Sequence, residues 1–270
     1  MRTNIRVPTI SARPRSCLWK RRIVVRRAPG RIGLFPVDYG KLRGLSKTPR
    51  LLIKTGFSML GRMGIPVEVP GLDTILPEVT DGSVVIVESG ADSAKNFFVR
   101  RLGLTALRIG RPVTFVISRD RGELLGLLAE EGGPAGIDGG LKIEERDAIA
   151  DLKEFAGRGG LLAVDSFSLL TLDLQAAELA AMLRDLRAQC REKKTSVVLG
   201  TDRGMFEPRG EAVVAHLADG VLQFHSREGP EGLVRFLRIP KWTEGRFFDR
   251  NIYYEFDGKR IAIDLRSRVL

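Results

Sequence analysis

The amino-acid sequence predicts an α/β domain: a mostly parallel central sheet flanked by helices, continued at its C-terminal end by an antiparallel extension. Three observations carry this prediction. From about residue 65 onward, short and wholly apolar runs alternate with helical patterns. The clearest of the helices carries one unbroken apolar stripe. After Gly220 the helices stop while the strand-like runs continue.

The elements follow in order. Val84-Val85-Ile86-Val87 reads as a strand and leads into a helix near 95–108. Val113–Ile117 is the next strand, followed by a helix near 121–131. Leu161–Val164 precedes a helix over 173–193, and Val197-Val198-Leu199 closes the series. Strands this short and apolar throughout are buried on both faces, so the helices between them supply the covering layers. Within 173–193, Leu172, Ala176, Leu179, Leu183, Leu186 and Cys190 recur at helical spacing along one face, with Asp173 as the expected N-cap. The five glycines within 132–140 (Gly132, Gly133, Gly136, Gly139, Gly140) mark a loop. Past Gly220, Val221–Phe224, Leu233–Ile239, Asn251–Phe256 and Ile261–Leu265 have no helices between them and should pair antiparallel.

The chain has 270 residues, 43% of them hydrophobic, enough to bury a full core. No apolar run approaches the ~18 residues that a membrane-spanning helix needs, so a soluble, cytoplasmic protein is expected. Its two cysteines, Cys17 and Cys190, stand far apart, which argues against a disulfide framework or a zinc site and fits a reducing compartment.

The net charge of +11 is unevenly spread. Residues 1–63 hold 16 Lys and Arg and one acid, Asp38, whereas 64–270 hold 28 basic and 32 acidic residues and are mildly acidic. The arm also contains Pro8, Pro14, Pro29, Pro36 and Pro49 and no sustained periodicity, so disorder is its default expectation. Two readings stand open: a tail that binds nucleic acid or another anionic surface through phosphate neutralisation, or a start at Met59 or Met63. The domain division is therefore an arm over 1–63 and one domain over 64–270.

The chemistry-bearing residues cluster where strands end. After Val84–Val87 the chain runs Glu88-Ser89-Gly90-Ala91-Asp92-Ser93-Ala94-Lys95-Asn96 into a helix. A strand–loop–helix of the pattern G-x-x-x-x-G-K-S/T cradles phosphates on its amides, sends its lysine to the β/γ oxygens and holds Mg²⁺ with its hydroxyl. Lys95 stands in the expected place. Ser89 replaces the first glycine, Ala94 the second, and Asn96 the hydroxyl residue, with an amide oxygen as its only ligand for a metal. Leu161–Val164 followed by Asp165 has the form of a buried strand that ends in a Mg²⁺-holding carboxylate. An aspartate closing a strand is, by itself, equally a turn or cap residue.

The order of these pieces resembles the KaiC-like RecA-superfamily ATPases. Gly64-Ile65-Pro66 through Gly71-Leu72-Asp73-Thr74-Ile75-Leu76 is similar to their "GIPGLDEIL" box, and Gly82-Ser83 to the Gly-Ser ahead of their P-loop strand. Gly160–Ser168 is similar to their "VVIDSLS" strand, and His216-Leu217-Ala218-Asp219-Gly220-Val221 to "HLADGV". Leu237–Lys241 and Tyr254-Glu255-Phe256 are similar to their last strands. The resemblance spans about 65–266.

It implies a RecA-like P-loop NTPase fold and ATP with Mg²⁺ held between neighbouring subunits, whether copies of this chain or a related RecA-type subunit. Ser89, Gly90, Ala91, Asp92, Ser93, Ala94, Lys95 and Asn96 would form the phosphate loop, with Asp165 and Asn96 toward the metal. Thr201 falls near the sensing position, and Lys241 matches the lysine presented to a neighbour's nucleotide. The departures are informative. The paired catalytic glutamates fall at Arg119-Asp120, leaving Asp120 to orient water, and Thr243 replaces an arginine two positions after Lys241. The resemblance thus implies an ATP-binding, oligomeric regulator with slow ATPase activity. The alternatives are an inactive regulatory or scaffold partner and a recombination-associated paralogue. His216 and His225 read as structural.

Overall fold

A computed structural model describes residues 64–90, 94–133, 140–146, 152–230, 232–243 and 248–263. The basic arm 1–63 and the loop residues Ala91, Asp92 and Ser93 lie outside the described residues. Among the described residues no helix is long and apolar enough to cross a membrane.

The chain opens with β1 (Gly64–Pro66), α1 (Leu72–Ile75) and β2 (Glu78–Thr80), and β1 and β2 pair antiparallel as a small sheet. Then come β3 (Val84–Ser89), α2 (Ala94–Arg108), β4 (Val113–Ile117), α3 (Arg121–Glu130), β5 (Leu141–Glu145), α4 (Leu152–Ala156), β6 (Leu161–Val164) and α5 (Phe167–Leu170). α6 (Ala176–Lys193), β7 (Ser196–Asp202) and α7 (Pro208–Leu217) lead to β8 (Gly220–Gly229), β9 (Gly232–Lys241), β10 (Phe248–Phe256) and β11 (Ile261–Ile263). Nine strands form the main sheet in the order β11-β10-β9-β8-β3-β7-β6-β4-β5. From β8 to β5 the neighbours are parallel, and β9, β10 and β11 add antiparallel.

The predicted architecture is the observed one, with local corrections. β8 belongs to both halves, since it pairs parallel with β3 and antiparallel with β9. α6 begins at Ala176, not at 173, because Gln175 and Glu178 form a reciprocal capping box; Asp173 is not its cap. Leu172 therefore precedes the helix and is exposed, while Leu179, Leu183, Leu186 and Cys190 form the buried stripe. β5, α4 and α7 are short elements that the sequence pattern did not single out. Of the glycine-rich loop, 134–139 lie outside the described residues, as does the end of the last expected strand.

The strands are apolar on both faces because each face has a core. On one side Val85, Val87, Phe115 and Val198 meet Phe98, Leu102 and Leu104 of α2 and Leu124 and Leu128 of α3. On the other, Val84, Ile86, Val164 and Leu199 meet Leu152 and Phe155 of α4, the α6 stripe and Val214 of α7. Cys190 sits in the second core, where burial pushes its thiol up to about 12.

The two most specific boxes are structural. Gly71 has φ +86°, and its amide donates to Asp73 Oδ1, so the box makes the turn into α1. A Cβ at Gly71 would also stand 2.8 Å from Ile263 of the last strand. Asp219 is a hub: Oδ2 accepts from the Val84 amide at 3.0 Å, and Oδ1 accepts from Arg187 at 2.6 Å and Arg191 at 3.3 Å. One carboxylate thereby ties the start of β3 to α6 and to the end of α7. Asp219→Ala leaves the Val84 amide and the part-buried Arg187 without that partner. It should cost about 2–4 kcal/mol in urea unfolding, with Asp219→Asn, which keeps an acceptor, costing less.

Candidate functional site

The C-terminal ends of β3, β7, β6 and β4 line up along one edge of the sheet, and the sequence-predicted residues gather there. β7 lies between β3 and β6, so Lys95 and Asp165 are reached from strands that flank a common neighbour, not from adjacent ones. Gly200 makes the close packing possible, because a Cβ there would collide with the backbone carbonyl of Asp165.

Ser89 closes β3 in register with Asp202 of β7. Its hydroxyl donates to the Gly90 carbonyl at 2.9 Å, and its own carbonyl accepts from the Arg203 amide at 2.9 Å. The chain is next described at Ala94, Lys95 and Asn96, the first turn of α2. Lys95, with a side chain only 3% exposed, places Nζ 2.7 Å from Asp202 Oδ1. Asp202 is fixed in turn by Ser168 on α5, whose Oγ accepts from the Asp202 amide at 3.0 Å. The lysine expected to reach phosphate thus has a carboxylate partner inside the chain. Thr201, one residue earlier, is buried and lines a small cavity with Glu88, Asp202 and Arg203.

Asp165 directly follows β6 and is 7% exposed. Its Oδ2 accepts from Arg119 Nε at 2.9 Å, and the same guanidinium reaches Glu123 Oε1 at 3.2 Å. Arg119, at a position where the resemblance puts a catalytic carboxylate, therefore turns a cation onto the carboxylate expected to hold a metal. Asp120 is exposed and caps α3, its Oδ1 accepting from the Glu123 amide at 3.0 Å. Asp165 Oδ1 and Asn96 Oδ1 are both buried, have no hydrogen-bond partner, and border one cavity of about 10 Å³ with Arg119, Arg100 and Phe115.

The remaining expected residues lie elsewhere. Lys241, at the end of β9, donates to the carbonyls of His216, at 3.0 Å, and Ala218, closing the C-terminus of α7 on its own chain. Thr243 is buried and accepts from the Thr80 hydroxyl at 3.0 Å. His225 stacks on Phe236 with ring centroids 4.9 Å apart and lies beside Arg203, which is paired with Glu88. His216 ends α7. Sequence reasoning missed Asp202. Its only mark is that it follows Thr201 at the end of an apolar strand.

Mg²⁺ does not fit this arrangement. The ion keeps several waters and near-octahedral oxygens at about 2.0–2.1 Å. Here one oxygen of Asp165 is taken by a guanidinium, and the space beside the other is about 10 Å³. Among the described residues no group of three or more His, Cys, Asp or Glu is placed to hold a metal ion.

No family model and no curated protein matches this chain. Solved structures do. A KaiC-like protein from the hyperthermophilic archaeon Pyrococcus horikoshii superposes with TM-score 0.61 at 20% identity, over 74% of this chain and 98% of that one. The flagellar accessory protein FlaH from Methanocaldococcus jannaschii superposes with TM-score 0.63 at 16% identity, over 75% and 99%. The chain has a RecA-type P-loop fold of the KaiC-like kind.

Beside the site, Arg100 and Glu131 form a pair at 2.6 Å with side chains 10% and 8% exposed. Burial outweighs Arg100 and raises the Glu131 carboxyl above its usual range. The folded state then binds its proton more tightly than the unfolded chain does, so this group's contribution to stability falls as pH rises from the ordinary carboxylate range through the folded value. In Glu131→Gln that part of the pH dependence should vanish from melting temperatures measured across the acid range.

Proposed function

We propose that this chain is a nucleotide-responsive RecA/KaiC-type subunit that does not turn ATP over and works as a regulatory or scaffold partner within an oligomer. The observation that carries the reading is the Lys95–Asp202 ion pair: the phosphate-binding cation already has its anion. ATP must compete with Asp202 for Lys95, and that competition weakens binding. Lys95, Asn96 and the amides that open α2 would face the β/γ-phosphates. Hydrolysis needs a carboxylate to orient water and a cation on the developing charge, and misplacing either costs orders of magnitude in rate. Arg119 stands at the first position, Asp120 is occupied as a helix cap, and Lys241 is bound to its own chain.

The retained strand–loop–helix and Lys95 support ATP as the ligand; the eroded loop and Arg119 support the absence of turnover. A subunit of this kind would report ATP, or the partner it meets, by its stability and assembly instead of by product release.

The test is a thermal-shift titration paired with a phosphate-release assay on the full chain. A bound ligand must raise the melting temperature by mass action. Millimolar ATP should give a small shift that Lys95→Ala abolishes, with phosphate release no faster than in Lys95→Ala. Asp202→Asn, which frees Lys95, should tighten ATP about tenfold, the equivalent of ~1.4 kcal/mol. Phosphate release from the wild-type chain clearly above the Lys95→Ala background would overturn the reading in favour of a slow ATPase. No shift in either the wild type or Asp202→Asn would remove ATP as the ligand.

A further inference from the structure

We infer that Arg119 is the resident cation of this site and that Asp165, Asn96 and Arg119 together exclude a divalent metal, so that any nucleotide engages as its metal-free anion; the last clause alone rests on the nucleotide reading above. Three independent features support this.

The first is charge. Arg119 is anchored at two points, by Nε to Asp165 Oδ2 at 2.9 Å and by Nη1 to Glu123 Oε1 at 3.2 Å. The cation is therefore built into the junction of β4, α3 and β6 and is not a loose surface arginine. Asp165 is already paired with Arg119, while Arg100, which lines the same cavity, is paired with Glu131 at 2.6 Å. A dication approaching Asp165 would have to displace the Arg119 guanidinium from its Oδ2.

The second is space. The cavity of about 10 Å³ is also lined by the apolar Val99, Phe115, Leu124 and Leu127. A volume of that order accommodates about one water and not the hydration shell that Mg²⁺ retains.

The third is hydrogen bonding. Asp165 Oδ1 and Asn96 Oδ1 are both buried acceptors without a partner, and both residues line this cavity. A buried acceptor left unpaired costs free energy, and one water donating a hydrogen to each oxygen would satisfy both. Asn96 suits this role. Its amide oxygen is a neutral acceptor that one water can satisfy. Arg119 thus places a permanent cation on Asp165, and Asn96 adds a neutral acceptor to the same cavity.

The experiment uses Mn²⁺ alone as the probe, with free Mn²⁺ measured by electron paramagnetic resonance against the full-length chain. The wild type and Asp165→Asn should take up Mn²⁺ indistinguishably, any uptake being surface association common to both. Arg119→Ser should gain a Mn²⁺ site that disappears again in Arg119→Ser/Asp165→Asn. Uptake by the wild type that Asp165→Asn removes would overturn the inference. So would the lack of any gain in an Arg119→Ser chain that still melts cooperatively. If Arg119→Ser fails to fold, the comparison of wild type with Asp165→Asn decides by itself, and Arg119→Lys, which keeps the cation, should remain blind to Mn²⁺. In a second arm a fluorescent ATP analogue should bind with affinities that agree within about twofold in Mg²⁺ and in EDTA; a loss of about tenfold in EDTA, ~1.4 kcal/mol, would contradict metal-free engagement. An analogue that binds in neither buffer defeats the nucleotide reading, and the Mn²⁺ result still decides the metal.

Discussion

A lysine side chain 3% exposed lies 2.7 Å from a counter-anion, which the position of Asp202 at the end of β7 supplies. Taking an ammonium out of water costs several kcal/mol unless a well-placed counter-charge and further hydrogen bonds compensate. Ser168, donating to Asp202 from α5, and the register that sets Ser89 opposite Asp202 hold that counter-charge in place. The first turn of α2 is therefore seated by an interaction inside the chain. In a P-loop that works by holding triphosphate, the corresponding lysine must be kept available. Here the strand order of the fold is intact while the cation it presents is already engaged.

The same economy runs through the rest of the edge. With arginine at position 119 a cation is paired with Asp165, and Asp120 caps α3. Arg119 thus sets a cation directly against the strand-end carboxylate. Thr243 and Lys241 fit the same pattern, each turned to a partner within the chain.

This contrast explains what was legible in the sequence. The GLD and HLADG segments were the most specific marks, and both carry structural duties: Gly71 adopts a backbone that L side chains rarely take, and Asp219 links a β3 amide to α6. Such duties are independent of the chemistry, because they hold the start of β3 and the turn into α1 in place. The buried strands were legible for a related reason, since a run with cores on both faces has little freedom of composition. The short elements were not. β5 is a half-exposed edge strand containing Lys142, Glu144 and Glu145, and α4 has five residues, too few for a helical period to register. The start of α6 was misplaced because glutamine is a weak cue for a cap. Its capping box with Glu178 counts only once the backbone brings the two together.

The site was half legible, and the missing half consists of partners. Motif spacing located Lys95 and Asp165, but spacing says nothing about which charge lies opposite. Asp202 comes from a strand 107 residues away from Lys95, and Arg119 lies 46 residues before Asp165. Whether a lysine in a phosphate loop is available or engaged, and whether a strand-end aspartate is bare or neutralised, are properties of pairs, and only the folded chain defines them. A pattern match that finds both residues therefore overstates what the site can do. Each retained charge must be weighed together with the charge that the fold sets beside it, and in this protein both sums come out near zero.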